Sequence, residues 1–407
     1  MVKPLFIDVH ILQSVPPNNI NRDDTGSPKT AHFGGVRRAR VSSQAWKKAT
    51  RDLFPRYLEI QNLGIRSLHA VDTLSKCICE KENSITSENS IALAREVIES
   101  AGIKVDKKNE TKYAIFISRR QFSDLADLAI KLPYLKSQIE ELDKKLKDKQ
   151  TKKQENKSEI EKLKEEKKKA EKERNSASKI LKDRATQSID VAMFGRMVTD
   201  SPELNIDASV QVSHSIGVSR MDPEFDYFTM LDEVENHVRM IDTTEFTSST
   251  LYRYADIDVF HLCENLGSAE AACKGIEAFL RSFAFSMPTG KQNSFANRTL
   301  PTAVIVELRE TQPVSLVNAF EKPVMATAEK SQIECACKRL IAQESAIDEV
   351  FGVNPKEAFV VIASPDANAL KEFPNSQAVS FDEMISHVSE ACATYLAEAG
   401  CPSEGQE

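Results

Sequence analysis

The chain has 407 residues, of which 41% are hydrophobic and 28% charged, a composition typical of two or three globular domains with cores large enough to need no disulfide or metal. Its 13 glycines form neither G-x-G-x-x-G nor G-x-x-x-x-G-K-[ST], so the two commonest signatures of nucleotide-binding enzymes are excluded. The formal net charge of −7 argues against nucleic acid unless positive charge is concentrated locally.

The cysteines and the apolar runs favour a cytoplasmic protein. None of the eight cysteines forms a C-x-x-C pair, and the C-x-C pairs at 77–79 and 335–337 fit zinc spacing poorly. No apolar run approaches the ~18 residues that span a membrane, and Asp8 and His10 interrupt the apolar run near the N-terminus, which is therefore no signal peptide. We expect no membrane partner, no metal and no small-molecule cofactor.

The first elements in chain order are a strand and a helix. Alternating apolar residues and β-branched enrichment predict a strand over 4–13, followed by a polar, turn-rich stretch to Gly35. Ser42 or Ser43 then caps a helix whose apolar residues recur at helical spacing to Leu53. Further helices are expected within 66–101.

The segment 131–184 differs sharply in composition from the rest of the chain. It contains 19 Lys and Arg against 12 Asp and Glu, a local net charge of +7, so the other residues carry −14. Apolar residues repeat in heptads at both ends of the segment but not across 147–159. This pattern predicts a helical hairpin with its tip near 148–157. A single long solvated helix is the alternative.

The remaining elements alternate between helix and strand. We expect helices at 190–197, 268–285 and 382–398, and a loop at 287–297. Strands are expected at 206–218, where apolar residues alternate strictly, and at 246–259, 302–308 and 358–363, with an acidic, aromatic stretch at 221–242. Interleaved helices and strands, with no long run of either, predict an α+β fold.

Residues 37–51 are the densest basic feature of the chain. Six cations follow one another around the predicted start of a helix, where backbone N–H groups and the helix dipole favour anions. Such a donor set suits a nucleic-acid backbone and reads no sequence. A solvated basic face is the alternative reading. The cations are Arg37, Arg38, Arg40, Lys47, Lys48 and Arg51.

Several blocks of the sequence form an ordered set of motifs. The first is Asn21-Arg-Asp-Asp24 followed by Phe33-Gly-Gly-x-Arg-Arg-x-Arg-x-Ser-Ser-Gln44. The others, in order along the chain, are Gly195-Arg-Met197, Asp226-Tyr-Phe-Thr229, Thr244-Glu-Phe-Thr-Ser-Ser-x-x-Tyr-Arg-Tyr-Ala-Asp256, Gly290-Lys-Gln292 and Asn318-Ala-Phe-Glu-Lys322. In these blocks and in their order the sequence resembles the CasC-type backbone subunit of the type I-E CRISPR Cascade complex. The resemblance covers about residues 5–325, excluding the segment 131–184.

The resemblance implies a hand-like arrangement of domains. A modified RRM-like (ferredoxin-like) palm is expected at 1–65 and 245–365, and helical fingers, including the basic hairpin, at 66–200. A β-hairpin thumb is expected at 201–244, and a C-terminal helix and tail at 366–407.

The resemblance also implies a function. Copies of the family's subunit polymerise along CRISPR RNA and present its guide portion for pairing with target DNA. The implied partners are CRISPR RNA, target DNA, further copies of the chain, a large subunit, small subunits, a 5′-handle cap subunit and a 3′-hairpin endonuclease subunit. Base pairing, not the protein, would then read sequence.

Individual residues take expected roles from the same resemblance. Met197 is expected against the guide bases, and Tyr227, Phe228 and Thr229 form the thumb wedge, with Tyr227 at a position where the family often has Trp. The residues expected along the guide backbone are Arg22, Lys29, Ser42, Gln44, Lys47, Lys48 and Arg51, with Lys291 and Gln292 as further candidates. Without the resemblance, Tyr227 and Phe228 would be read as a hairpin core pair.

The basic hairpin at 131–184 departs most from the family, whose members commonly carry a shorter Lys-rich helical segment that contacts target DNA. Our hypothesis is a basic arm that grips DNA, and a solvated coiled coil or partner-docking arm is the alternative. The candidate DNA-binding residues are Lys144, Lys145, Lys149, Lys152, Lys153 and Lys157.

Two other function classes remain open. Asp23 and Asp24 follow the first predicted strand, and in related type III backbone subunits a loop Asp helps to cut RNA, so Asp24 is a candidate for a metal-dependent RNase site. We expect a turn that positions Arg22 instead, and no catalytic residue. A coiled-coil adaptor that binds no nucleic acid is the third class.

Overall fold

The computed structural model describes residues 3–151, 157–232 and 237–402. The strands are β1 (Phe6–Asn18), β2 (Thr30–Phe33), β3 (Val36–Val41), β4 (Gly64–Ser67), β5 (Ile115–Ser118), β6 (Val210–Val212), β7 (Ser215–Gly217), β8 (Glu224–Asp232), β9 (His237–Asp258), β10 (Ala303–Arg309), β11 (Glu357–Ile362) and β12 (Ser376–Ala378). The helices are α1 (Ser43–Leu53), α2 (Ala70–Lys81), α3 (Ser87–Ser100), α4 (Arg119–Thr151), α5 (Lys157–Arg174), α6 (Ala177–Lys182), α7 (Ile189–Phe194), α8 (Val259–Leu266), α9 (Ala269–Phe285), α10 (Gln292–Phe295), α11 (Gln332–Phe351) and α12 (Phe381–Glu398).

The chain divides into two compact units. Unit 1 consists of Met1–Leu58, Ser209–Glu264 and Ser268–Glu407, and unit 2 consists of Glu59–Ala208 and Asn265–Gly267. No helix within the described ranges is both long and apolar enough to cross a membrane.

Unit 1 is built on one large mixed sheet. Its strands follow the order β12-β11-β10-β1-β9-β7-β3-β2, and β6 and β8 also pair with β9. The pair β11–β12 is parallel, whereas β1 lies antiparallel between β9 and β10. With helices packed on this sheet, the predicted α+β fold class is confirmed.

The centre of the sheet is covered on both faces, because nearly every residue of β1 up to Val15 is buried. Leu12, Tyr252 and Ile305 lie on one face, in the same apolar cluster as Leu340 of α11. The helix α9 packs against α1 and α12. A strand buried on both faces reads as a nearly continuous apolar run, as the sequence of β1 does.

The structure corrects the strand predicted at 206–218. Two short strands, β6 and β7, replace it, and both pair with β9. The register slips by one residue between them, since Val212 lies opposite Ala255 whereas Ile216 lies opposite Tyr252. The break lets Ser215 and Ile216 pair with β3 as well. The strand predicted at 246–259 is present but begins nine residues earlier, at His237.

Unit 2 is mostly helical, with β4 and β5 forming a two-stranded sheet. Its core draws on α2, α3, α4 and α6. In the basic segment, α4 and α5 run antiparallel, since Lys131 pairs with Glu173 at 3.4 Å and Lys167 pairs with Asp143. The helical hairpin is therefore confirmed over its arms, with Ile139, Leu142 and Ala170 buried. The predicted tip includes residues 152–156, which lie outside the described residues.

Candidate nucleic-acid interface

The start of α1 is fixed to the loop that follows β1. Of the two predicted cap residues, Ser42 is the N-cap, and its hydroxyl accepts the backbone N–H of Ala45 at 3.3 Å. The backbone N–H of Ser42 donates to Oδ1 of Asn21 at 2.8 Å. The loop and the positive end of the helix dipole are therefore held side by side, with Gln44 exposed in the first turn.

The predicted cations around α1 differ in exposure. Arg22, Arg37 and Lys48 are exposed, whereas Lys29, Arg40, Lys47 and Arg51 are half-buried. Lys48 forms an ion pair of 2.6 Å with Asp52 one turn on, an exposed contact that contributes little to stability. A phosphate would compete for the same ammonium group.

The structure shows that Arg38 does not belong to the predicted phosphate-binding surface. Its guanidinium is fully buried and uses all five N–H donors on backbone carbonyls, so none remains for a phosphate. Its role is to join the β2–β3 turn to two other segments of unit 1. The accepting carbonyls, at 2.8–3.2 Å, are those of Phe33, Gly217, Val218, Phe320 and Glu321.

His214 lies among the predicted phosphate-binding cations. Its Nδ1 is 3.1 Å from Nη1 of Arg40, whose Nε donates to the carbonyl of Thr30 at 3.0 Å. Burial, and then the charges of Arg40 and Lys29, hold the pKa of His214 below its ordinary value. His214 accepts from Arg40 as a neutral ring, and protonation would place another cation in this group.

The loop with Asp23 and Asp24 forms a turn. The Oδ1 atom of Asp23 accepts the hydroxyl of Thr25 at 2.7 Å and the backbone N–H groups of Thr25 and Ser27 at 3.0 Å, and these bonds lower the pKa of Asp23. Asp24 is exposed. Among the described residues, the one group of three side chains close enough to ligate a metal lies in the sheet interior and does not include Asp24.

The loop at 287–297 packs against the loop after β1. Gly290 allows this approach, because a Cβ there would lie 2.5 Å from the carbonyl oxygen of Ile20. Lys291 follows at positive φ and precedes the short helix α10, with Gln292 as its first residue. The loop and α1 border a groove of about 310 Å³ lined by Lys48 and Arg298, among others. No motif in the sequence marks Arg298, which lies outside the basic stretch 37–51.

The predicted thumb wedge lies on a two-stranded hairpin of β8 and the first half of β9. Tyr227 is 64% exposed and Phe228 39%, and Thr229 is exposed as well. The alternative reading of the two aromatics as a core pair is therefore wrong. Phe225 and Ile241, which no sequence motif marks, are 66% and 61% exposed on the same hairpin.

Met197 belongs to unit 2 and is exposed. The preceding Arg196 is buried, and its Nε donates to the carbonyl of Leu204 at 2.8 Å while Nη1 donates to Gln121 at 3.2 Å. Burial lowers the pKa of Arg196 to about 10, so it stays charged. The anchored Arg196 fixes the backbone from which Met197 projects.

Four of the six candidate DNA-binding lysines lie in the helices α4 and α5. Lys144 and Lys145 are exposed, and Lys145 pairs with Glu141 at 2.7 Å. Lys149 and Lys157 fall within the helices, although the structure does not describe their side chains. Lys152 and Lys153 lie outside the described residues.

The chain is similar to one protein family and to chains of two solved complexes. A family model described as CT1975-like protein matches residues 7–387. A chain of a solved "CRISPR RNA-guided surveillance complex, pre-nicking" is 26% identical, with a TM-score of 0.74 over 95% of this chain and 100% of that one. A chain of a "CRISPR RNA-guided surveillance complex" is 23% identical, with a TM-score of 0.66 over 95% of this chain and 99% of that one, and supports the fold. No curated protein matches the chain.

Proposed function

The chain belongs to the CT1975-like protein family, and from this we propose that it is a CRISPR RNA-binding backbone subunit of a Cascade-type surveillance complex. The observation that carries the proposal is its similarity, over 95% of this chain and all of the other, to a chain of a CRISPR RNA-guided surveillance complex. The collinear motifs from Asn21 to Lys322 favour subtype I-E.

In this proposal, the loop after β1 and the start of α1 hold the guide backbone. Phosphates bind to exposed and half-buried cations and to the free N–H groups of the first turn, which requires no particular base. This suits a subunit that serves arbitrary guides. The proposed contacts are Arg22, Lys29, Arg37, Arg40, Ser42, Gln44, Lys47, Lys48, Arg51, Lys291 and Gln292, with Met197 against the bases.

The exposed aromatics of the β8–β9 hairpin act as the wedge that a neighbouring copy inserts into the guide. Aromatic rings stack on bases of any identity. The hairpin would thus link each copy to the next along the RNA. The further partners we propose are target DNA, a large subunit, small subunits, a 5′-handle cap subunit and a 3′-hairpin endonuclease subunit.

The decisive experiment is purification of the tagged chain from cells that express a CRISPR array. We expect a multi-copy complex that contains short RNA of uniform length. The paired variants Arg37→Glu and Lys330→Glu, each at an exposed cation, separate specific from general charge effects, because only Arg37 belongs to the basic stretch 37–51. A monomer free of nucleic acid would contradict the proposal and favour the adaptor class.

We further propose that the α4–α5 hairpin binds target DNA through its lysines. Replacing Lys144 and Lys145 by Gln removes exposed charge from an arm whose apolar seam stays intact. DNA affinity should fall at moderate salt, while guide binding is spared. Lys131→Gln and Lys136→Gln serve as the control, because these lysines pair with Glu173 and Glu96 on neighbouring helices, whereas Lys145 pairs with Glu141 within its own helix. Unchanged DNA affinity in this variant and after deletion of 140–178 would overturn the proposal.

We also propose that the chain itself is not an enzyme. Asp23 is engaged in its turn, and Asp24 would act as a lone carboxylate. RNA complementary to the guide should therefore stay intact in Mg²⁺. Cleavage that requires Mg²⁺ and is abolished by Asp24→Ala would establish the RNase alternative.

A further inference from the structure

Three potential metal ligands converge inside the large sheet of unit 1. Asp8 lies opposite Glu307 in the β1–β10 register, and His10, two residues further along β1, lies on the same face. One ligand atom from each of these side chains lies within 4.8 Å of the others, and all three residues are fully buried. All three belong to the interior of the sheet.

The charges around this group do not balance. The guanidinium of Arg309 donates to Asp8 and to Glu307 at 3.0 Å, and also to Glu344. Asp348 lies 3.7 Å from the same guanidinium. One cation therefore faces four carboxylates, an excess of three negative charges if all are ionised. Charge buried without compensation is strongly unfavourable, so these carboxylates need either a further positive charge or protons.

Several carboxylate oxygens in this interior also lack partners. Among the described residues, Oε1 of Glu307, Oε2 of Glu344 and both oxygens of Asp348 are buried and accept no hydrogen bond. The side chains of Glu307 and Glu344 are completely buried. Unsatisfied buried acceptors are rare in proteins and call for an ion, a water or a proton. This observation is independent of the ligand spacing and points to the same place.

We propose that Asp8, His10 and Glu307 bind one divalent cation, with Zn²⁺ the best fit to a site of one imidazole and two carboxylates. Nδ1 of His10 lies 2.8 Å from the hydroxyl of Tyr252, a contact of the kind that orients a ligand imidazole. Nε2 of His10 lies 3.0 Å from Oε2 of Glu307, and the cation would replace this direct contact by binding both atoms. The cation reduces the negative excess from three charges to one. The carboxylates of Glu344 and Asp348, both on α11, supply the remaining negative charge near the cation.

The site has a structural role, because its ligands are inaccessible to a substrate. It joins β1 to β10, two central strands of the sheet, beneath α11. No sequence motif marks the site, because its ligands come from two strands about 300 residues apart along the chain.

Metal analysis of the full-length chain tests the site. We expect about one equivalent of Zn²⁺ per chain after purification without chelator, and a fall in the midpoint of thermal unfolding of roughly 5 °C or more after removal by a strong chelator. Added Zn²⁺ should restore the midpoint. Two variants should no longer bind this Zn²⁺: Glu307→Gln, which preserves the side-chain shape, and His10→Ala. His69→Ala, an exposed histidine in unit 2, should retain it.

Co²⁺ gives a second readout that does not depend on the stability of a variant. Wild-type chain freed of metal and loaded with Co²⁺ should show the visible absorption of a low-symmetry nitrogen and oxygen site, and Zn²⁺ should displace it. The proposal would be overturned if the purified chain contained no metal and neither Zn²⁺ nor chelator changed its melting midpoint. The carboxylates would then share protons instead.

Discussion

Tyr227 and Phe228 are neighbours in the sequence, yet they lie on opposite faces of the β8–β9 hairpin. Tyr227 lies opposite Thr243 and Phe228 opposite Asp242, and successive residues of a strand alternate between faces. Phe225 is two residues from Tyr227 and shares its face. Ile241, paired with Thr229, is a diagonal neighbour on that face. One face therefore presents three large apolar groups, and the other presents Phe228.

Tyr227→Ala tests which face enters the guide. Loss of one base-stacking ring should weaken RNA-dependent assembly roughly tenfold, because stacking on an aromatic ring contributes about 1–3 kcal/mol per base. Sedimentation with guide RNA measures the assembly. Phe228→Ala is the matched control on the other face and should have the smaller effect. If neither variant alters assembly, the hairpin does not insert into the guide.

Arg38→Ala should destabilise the fold, whereas Arg37→Ala should affect RNA binding. Removal of Arg38 leaves five carbonyls without their donor, and we expect the free energy of unfolding to fall by more than about 3 kcal/mol in urea titrations. Arg37 is exposed, so its loss should leave stability nearly unchanged and reduce the salt dependence of RNA binding by about one phosphate contact. If Arg38→Ala instead weakened RNA binding and left stability unchanged, Arg38 would belong to the RNA-binding surface.

RNA affinity should depend on pH through His214. The pKa of His214 is held below its ordinary value by burial and by the charges of Arg40 and Lys29, so the ring is neutral at pH 7 and gains a proton only in more acidic solution than an ordinary histidine does. The new charge beside Arg40 attracts phosphate, and affinity should rise. Without RNA, the same protonation is more favourable in the unfolded chain, so stability should decline as the pH falls through the unfolded pKa.

Fluorescence anisotropy of labelled RNA between pH 8 and pH 5.5 measures this dependence. His214→Gln should flatten the profile, while His32→Gln, an exposed histidine on β2, should not. A profile that is identical in the wild type and in His214→Gln would exclude His214 as its origin.

The two glycines of the β2–β3 turn should respond differently to Ala. Both have positive φ, as the primed turn of a two-residue hairpin requires, so each substitution introduces backbone strain. A Cβ at Gly34 would also lie 1.5 Å from the carbonyl oxygen of Glu321, whereas a Cβ at Gly35 meets open space. Gly34→Ala should therefore be much more destabilising than Gly35→Ala, whose cost is about 1 kcal/mol. Equal melting temperatures would show that the turn can move away from Glu321.

Local patterns predicted the strands and helices that alternate clearly or have good caps. The Ser42 cap and the α4–α5 seam are examples, because their signals lie within a few residues or heptads. The break between β6 and β7 could not be predicted, since it depends on pairing with β3 and β9, which are remote in sequence. Arg38 likewise looks the same in the sequence as Arg37, and only the carbonyls that surround it distinguish them.

The 22 residues of β9 belong to two different environments. Residues up to Phe246 pair with β8 in the exposed hairpin, and those from Thr247 onwards pair with β1 at the centre of the sheet. The backbone passes from one to the other without leaving the extended conformation. A force applied to the hairpin is therefore transmitted along β9 to its hydrogen bonds with β1. Because β1 is buried at the centre of the sheet, the interior of unit 1 resists this force.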